Sequence, residues 1–472
     1  NGDHRDLHLS IRRQRQMCIE TGSTGALEEV TVTATLLTEA SPALSATVLT
    51  NQHRQQRGAV HLENMISLAP NIASSSGASR NRFFQIRGIG ERSQFVEPIN
   101  PSVGVLLDGI DLSGSGGALT LYDLQQVEIL RGPQGTLMGA NALAGLIALR
   151  SNATDNAIRE ATAGVENNGG RQIGVRLGGT LGDGVSGRIA VQQFQSDGFV
   201  DNQWLDRDDT NQRDELTGRA ALRWQATKHA LEVAAYYTDI DNGYDAFALD
   251  NSYIMLSDKP GRDAQESIGT SVRLDWNAFG RGSLTSITAA ANSDINFNYD
   301  ADWGNDDSWG PITYDYETFN DRKRRTLSQE FRYATQHWLF GVYALSLTDE
   351  LATLNLGNYY DPLYDYLSTL DYAFDSGYKA TNMSLFGQYN NEINSDTQIS
   401  AGLRIERRST EYRDTEDLTA DPSEILWGGE MMLHAPARAA ERALVVRNGA
   451  GPARAAQASR GRCAREEERR VV

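Results

Sequence analysis

Residues 123–145, DLQQVEILRGPQGTLMGANALAG, decide the fold. Val127 and Ile129 alternate with polar neighbours as a half-buried strand does, and Arg131 followed by Gly132 and Pro133 ends that strand abruptly. The glycines at 132, 135, 139 and 145 then stand among Ala, Leu and Met, so the pattern predicts a compact small-residue helical segment with close backbone packing. A phosphate loop is excluded, because the stretch lacks the Gly-Lys-Ser/Thr ending that grips phosphate and magnesium.

Working outward, residues 42–151 read as one mixed α+β unit. Leu62, Met65, Ile66 and Ala69 fall at helical spacing in HLENMISLAP, and Pro70 stops that helix. FFQIRGIG is a strand running into a glycine turn. VGVLLDGIDL places Val103, Val105 and Leu107 in alternation before Asp108 and Gly109, a pair that favours a hairpin turn with positive φ.

From Arg159 onward the pattern changes to alternating segments, about a dozen of them, each long enough for a tilted membrane-spanning strand. RQIGVRLGGTL puts Ile173, Val175 and Leu177 on one face, and TQISAGLRIE does the same with Ile399, Ala401, Leu403 and Ile405. Further strands are expected near 185–196, 216–226, 229–240, 267–277, 282–293, 325–335, 337–349 and 380–391. Short connections alternate with long polar ones, such as the runs from Ser196 and from Asp241 to Glu266. That alternation is the habit of an outer-membrane barrel with short periplasmic turns and long external loops; a soluble β-sandwich does not sort its loops by length.

Composition narrows the function classes. A net charge of −18 argues against a nucleic-acid partner. No apolar run is long enough for a transmembrane helix, which leaves a strand-based membrane protein open. The two cysteines, Cys18 and Cys463, lie in terminal segments and give neither a disulfide framework nor a zinc site. No HExxH, CxxC or GxSxG motif occurs, and the seven histidines show no metal-ligand spacing, so no catalytic residue, metal or cofactor is expected. His53 and His61 read as surface residues. NYDADWGNDDSWGP, from Asn298, does not fit an EF-hand and reads as a solvated acidic loop; Tyr and Trp in such loops fit either ligand contact or an interfacial girdle.

Three motifs carry a family resemblance: Ile86-Arg87-Gly88; LLDG, ending in Asp108 and Gly109; and LRGPQGTLMG, with Leu130, Arg131, Gly132, Pro133, Gly135 and Gly139. They resemble the plug-domain signature of TonB-dependent outer-membrane receptors. The resemblance implies an α+β plug followed by an antiparallel transmembrane β-barrel, and uptake of a scarce ligand rather than catalysis. Within GALEEVTVTA, the residues Glu28, Glu29, Val30, Thr31, Val32, Thr33 and Ala34 resemble the TonB box, which pairs with its partner by edge addition; an ordinary N-terminal strand is the other reading. The implied partners are the TonB energy-transducing complex, outer-membrane lipid and an extracellular small-molecule ligand. A ferric siderophore is the default class, with polysaccharide fragments, cobalamin and other chelates open. The resemblance also implies that the plug arginines Arg87 and Arg131 pair with barrel acids, for which Glu330 and Glu406 are the candidates, each opposite an apolar strand face.

The resemblance has departures. Ala140 and Met138 replace a common arginine and tyrosine, and LIALRSN replaces a strand ending in Thr-Lys. Family barrels have 22 strands, against about a dozen here. After LWGGEMMLHAP the composition turns to Ala and Arg. The expected divisions are an atypical segment over 1–24, TonB box and linker over 25–41, plug over 42–155, partial barrel over 156–436, and an Arg/Ala-rich tail over 437–472 that reads as an out-of-frame extension, with a basic tail as the other reading. No signal peptide is visible, so outer-membrane placement rests on the resemblance. Open strand edges cannot persist in hydrocarbon, so the expectation is a truncated receptor that does not transport by itself. The alternatives are a non-functional fragment or pseudogene product and a soluble β-rich binding or adhesion protein.

Overall fold

The computed structural model describes residues 45–75, 78–92, 98–116, 119–132, 143–279, 282–394, 397–416, 419–420 and 423–434. The TonB-box residues Glu28 to Ala34, and Pro133, Gly135 and Gly139 with the expected helix around them, lie outside this set.

The first unit is built from β1 (Ala46–Thr50), α1 (Asn51–Arg57), α2 (Leu62–Ile66), β2 (Ile72–Ser75), β3 (Phe83–Ile86), β4 (Val103–Leu107), β5 (Ile110–Asp111), β6 (Leu124–Arg131) and β7 (Gly145–Ser151). Five strands form a sheet in the order β1-β6-β7-β4-β5, with β4 and β7 parallel, while β2 pairs with β3. The helical spacing read in HLENMISLAP is realised in α2, whose Leu62, Met65 and Ile66 are buried. Asp108 and Gly109 have φ of 49° and 87° and close the β4–β5 hairpin with Leu107 opposite Ile110, as the Asp-Gly pair requires. β6 corrects one expectation. It is buried on both faces with only Gln125 exposed, because it lies between β1 and β7 inside the sheet, with α1 packed against it.

That second sheet runs through β8 (Ile158–Val165), β9 (Arg171–Gly182), β10 (Val185–Ser196), β12 (Arg213–Gln225), β13 (His229–Tyr244), β15 (Gly261–Phe279), β16 (Gly282–Asp300), β17 (Thr313–Ala334), β18 (Trp338–Asp361), β19 (Tyr366–Asn394) and β20 (Thr397–Asp414). It is an antiparallel meander, and the two-residue β21 (Thr419–Ala420) and β22 (Ser423–His434) both pair with β20. Two short bridging strands, β11 (Asp201–Asn202) and β14 (Ile254–Met255), pair between the long loops. Among the described residues, β8 pairs with β9 and β22 with β20, and the two do not pair with each other. Short turns join the strands at one end, as at Asp183-Gly184 with φ of 49° and 74°. At the other end the strands outrun the expected spans: β17 begins at Thr313 rather than near 325, and β18 and β19 form one long hairpin where a loop was expected.

The sheet is inside out relative to a soluble protein. Leu403 and Ile405 are 52% and 48% exposed, whereas Arg404 and Glu406 between and beside them are 5% and 9% exposed. The same inversion holds on β17, where Leu327 and Phe331 face out and Ser328 and Glu330 are buried. A soluble sandwich would bury the first set. In a membrane barrel hydrocarbon covers it, and the polar set faces the lumen. Near the short-turn end, Trp224, Trp338 and Phe340 are exposed, with Trp338 stacked on Phe340 at 5.5 Å and against Tyr389 at 4.6 Å, as an interfacial girdle requires.

Candidate functional site

The site is the contact between the plug and the inner face of the sheet. Plug backbone that is not paired within the plug receives donors from the wall. Arg219 Nη2 donates to the Thr120 carbonyl at 2.7 Å, Thr326 Oγ1 to Asp111 at 3.1 Å, Gln265 Nε2 to Ser115 at 3.1 Å, and Ser271 Oγ to the turn carbonyl of Asp108 at 3.2 Å. The apolar core of the plug extends into the wall through Tyr236 and Ala289. Gly269 is the direct strand partner of Tyr236; a Cβ there would collide with the tyrosine ring and come within 3.1 Å of Ile110 in the plug.

Buried ion pairs fix the rest. Arg80 donates from Nε to Glu215 on β12 at 2.6 Å and from Nη1 to Glu63 at 2.6 Å. Glu215 also takes His61 Nε2 and, at 2.9 Å, Asn242 Nδ2. Burial works against the charge on Arg80, but Glu215 and Glu63 outweigh it and raise the guanidinium above its ordinary value. Arg82 donates to Asp263 at 2.7 Å and to Gln265 at 2.8 Å, while Ser79 donates to the other Asp263 oxygen through its amide and hydroxyl. Polarity reverses at the foot of the plug, where the plug carboxylate Asp123 accepts from Arg188 Nε at 2.6 Å and also pairs with Arg176. Such pairs hold geometry well, and removing one partner strands the other in a buried site.

The expected pairing of Arg87 and Arg131 with Glu330 and Glu406 is therefore corrected. Both glutamates do face inward, but Glu330 pairs with Arg332, and Glu406 takes Arg404 Nε at 3.0 Å, each two positions along its own strand and so on the same face. Arg131 instead donates to Ser45 Oγ at 3.1 Å, to the Ala46 carbonyl and to Thr47 Oγ1 beside β1. Arg87 is exposed in the turn after β3, where it has φ of 55° and Gly88 has φ of 79°. Glu330 lines a gap of about 90 Å³ between plug and wall, with Arg150, Glu232 and Arg273. His61, expected at the surface, is 2% exposed on Glu215.

Sequence reasoning missed the arginines that do reach the wall, although SRNRF carried the signal: Arg80 and Arg82 share one face of the chain entering β3. In the acidic loop, Asp300 Oδ1 accepts the amides of Asp302 and Trp303 at 3.0 Å each, and Asp302 accepts those of Gly304 and Tyr316. Asp300 and Asp302 are 6% and 5% exposed, so this part of the loop, expected to be solvated, is buried instead, and its carboxylates order backbone.

Residues 39–146 match the family described as the TonB-dependent receptor plug domain. Over 183 residues the chain is 27% identical to a pesticin receptor of Yersinia enterocolitica, covering 38% of this chain and 27% of that protein. Over 154 residues it is 25% identical to a vitamin B12 transporter of Photobacterium profundum, covering 30% of this chain and 25% of that protein. The crystal structure of a ferric yersiniabactin uptake receptor from Yersinia pestis superposes with a TM-score of 0.66 at 17% identity, over 83% of this chain and 62% of that one. The alignments thus span about a quarter of these curated relatives and less than two thirds of the structural neighbour. Residues 39–146 thus match a TonB-dependent receptor plug, the strands that follow share the fold of a receptor-type barrel, and the relatives are receptors and transporters rather than enzymes.

Proposed function

We propose that this chain serves in the outer membrane as the plug and wall of a receptor that takes up a scarce extracellular ligand, driven by TonB through residues 28–34. The observation that carries the reading is a plug held by buried ion pairs against the polar face of a sheet whose other face is apolar and exposed. Displacing the plug means breaking pairs such as Arg80–Glu215 and Arg82–Asp263, each costly when buried, so an outside energy source is required. The relatives are named for pesticin, vitamin B12 and ferric yersiniabactin. Those names make an iron–siderophore complex the first ligand class to test.

Edge addition supplies the link to the energy source, because an alternating segment such as EEVTVTA offers backbone pairing without special side chains. The test is capture of the detergent-solubilised chain by the periplasmic domain of TonB. Deleting residues 28–34 is expected to abolish capture while the plug stays seated. Equal capture with and without the segment overturns the proposal.

A further inference from the structure

The outward, apolar side of the sheet is broken at one place. Across β17–β20 the outward positions line up in rows: Phe331, Val342, Leu385 and Ile405 form one, and Gln329, Ala344, Met383 and Arg407 form the next towards the long loops. An open groove of about 450 Å³ runs along these two rows. Phe331, Val342, Met383, Leu385 and Ile405 are each 41–62% exposed beside it, and the dip falls at Ala344, the smallest side chain of the two rows.

The end of the groove nearer the long loops carries a charge. On these strands the apolar band starts at the aromatic row of Trp338 and Tyr389 and ends at the row of Arg325, Thr348, Lys379 and Glu411. From Trp338 to Thr348 is about 33 Å along β18, or about 25 Å of depth at a tilt of about 40°, which is the height of a barrel's apolar band. Within that band Arg407 is the one charged outward residue of β17–β20. Its row falls short of the upper one by the stretch from Ala344 to Thr348, so it lies about 10 Å below the rim by the same measure.

Among the described residues, Arg407 has no hydrogen-bond or ion-pair partner, and Glu411, the nearest carboxylate on its strand face, is held by Arg413 at 2.8 Å. On the rim above, Lys379 has no carboxylate partner, and Arg325 donates to the neutral Asn292 Oδ1 at 3.1 Å. A guanidinium at the depth of Arg407 is costly in hydrocarbon unless an anion meets it. A protein partner would have to carry a carboxylate into the hydrocarbon to do so, whereas a phosphorylated lipid brings its anion with an acyl chain. The order along the groove, apolar first, then Arg407, then Lys379 and Arg325 towards the long loops, is that of such a lipid with its headgroup facing outward.

We propose that this groove is a specific site for a phosphorylated, acylated lipid of the outer leaflet, with one acyl chain along Phe331, Val342, Leu385 and Ile405 and a phosphate on Arg407. The inference rests on the outer-membrane reading above, and the site lies on the opposite face of the sheet from the plug. The Arg407 guanidinium suits a phosphate because its planar fork donates to two oxygens at once. Lys379 and Arg325 add the basic surface that draws an anionic headgroup to the rim.

The test is native mass spectrometry of the detergent-solubilised chain titrated with diphosphoryl lipid A, with dioleoylglycerol as the uncharged lipid. Retention of lipid A but not of dioleoylglycerol is expected. Arg407→Gln should weaken it about tenfold or more, as should Ala344→Trp, which fills the groove, while Arg407→Lys keeps the charge and most of the binding. Arg262→Gln, on the outward face of β15 and paired with Asp241, should leave binding unchanged and control for folding and general surface charge. Equal retention of dioleoylglycerol, or lipid A binding untouched by Arg407→Gln, overturns the proposal. A dimer that Ala344→Trp dissociates also overturns it and gives the groove to a second copy. TonB capture tests the receptor reading separately, so a chain that TonB captures but that retains no lipid A loses this site alone.

Discussion

Arg82 and Asp263 have side chains 3% and 0% exposed, so neither has water to fall back on if its partner is removed. Arg82→Ala is expected to cost about 3–5 kcal/mol in the denaturation midpoint of the detergent-held protein, and the Arg82→Ala/Asp263→Ala double variant less than the sum of the two single changes. A loss below about 1 kcal/mol, typical of a surface pair, would show that the link is not holding the plug. Asp300, the last residue of β16 where it runs into the long-loop end, gives a second test at this scale. Burial pushes its carboxyl up to about 7, against a hydrogen bond from Ser257 and with Asp302 adding to the rise. The folded loop therefore keeps a proton that the unfolded loop releases near pH 4, and its stability falls as pH rises from about 4 to about 7. Proteolysis within 298–312 should be slower at pH 5 than at pH 8 under a protease active at both; equal rates would remove Asp300 as the cause. Pairs such as these are hard to read from sequence. Arg80 and Arg82 could be placed on one strand face, but Glu215 and Asp263 lie 135 and 181 residues further on.

At the level of elements, local chemistry was legible where one turn or one period decides it. Asp108-Gly109, α2 and the outward Leu403–Ile405 face follow from residues within a few positions of each other. The lengths of β17, β18 and β19 did not, because above the membrane a strand persists by pairing with its neighbour rather than by its own alternation. Where the two sheets meet, Gly269 lets the Tyr236 ring lie flat between wall and plug. Gly269→Leu is expected to unseat the plug edge at β5, at a cost of about 1–3 kcal/mol for overpacking, read as faster amide exchange at Ile110 and its neighbours. Unchanged exchange there would mean that the wall yields instead.

The whole molecule is defined by which side of the sheet faces hydrocarbon. Ile405 is 48% exposed beside buried Arg404 and Glu406. Ile405→Arg is expected to lower stability in lipid vesicles by about 2–4 kcal/mol if the site lies near the bilayer midplane, and to matter much less in a water-exposed position. Urea titration of vesicle-inserted protein measures this, and a neutral result would argue against a lipid-facing surface.

The sequence by itself determined the plug, because IRG, LLDG and LRGPQG are local motifs, and it determined the two-faced strands, because their period of two is written residue by residue. Which charges meet was decided only by the tertiary structure. Glu330 and Glu406 sit two positions from an arginine on the same strand face and are neutralised there, so Glu215 and Asp263 are left to receive the plug. Packing between β1 and β7 under α1 also buried β6 on both faces, and contact with Glu215 carried His61 from an expected surface position into the seam. No alternation within a single segment records such packing.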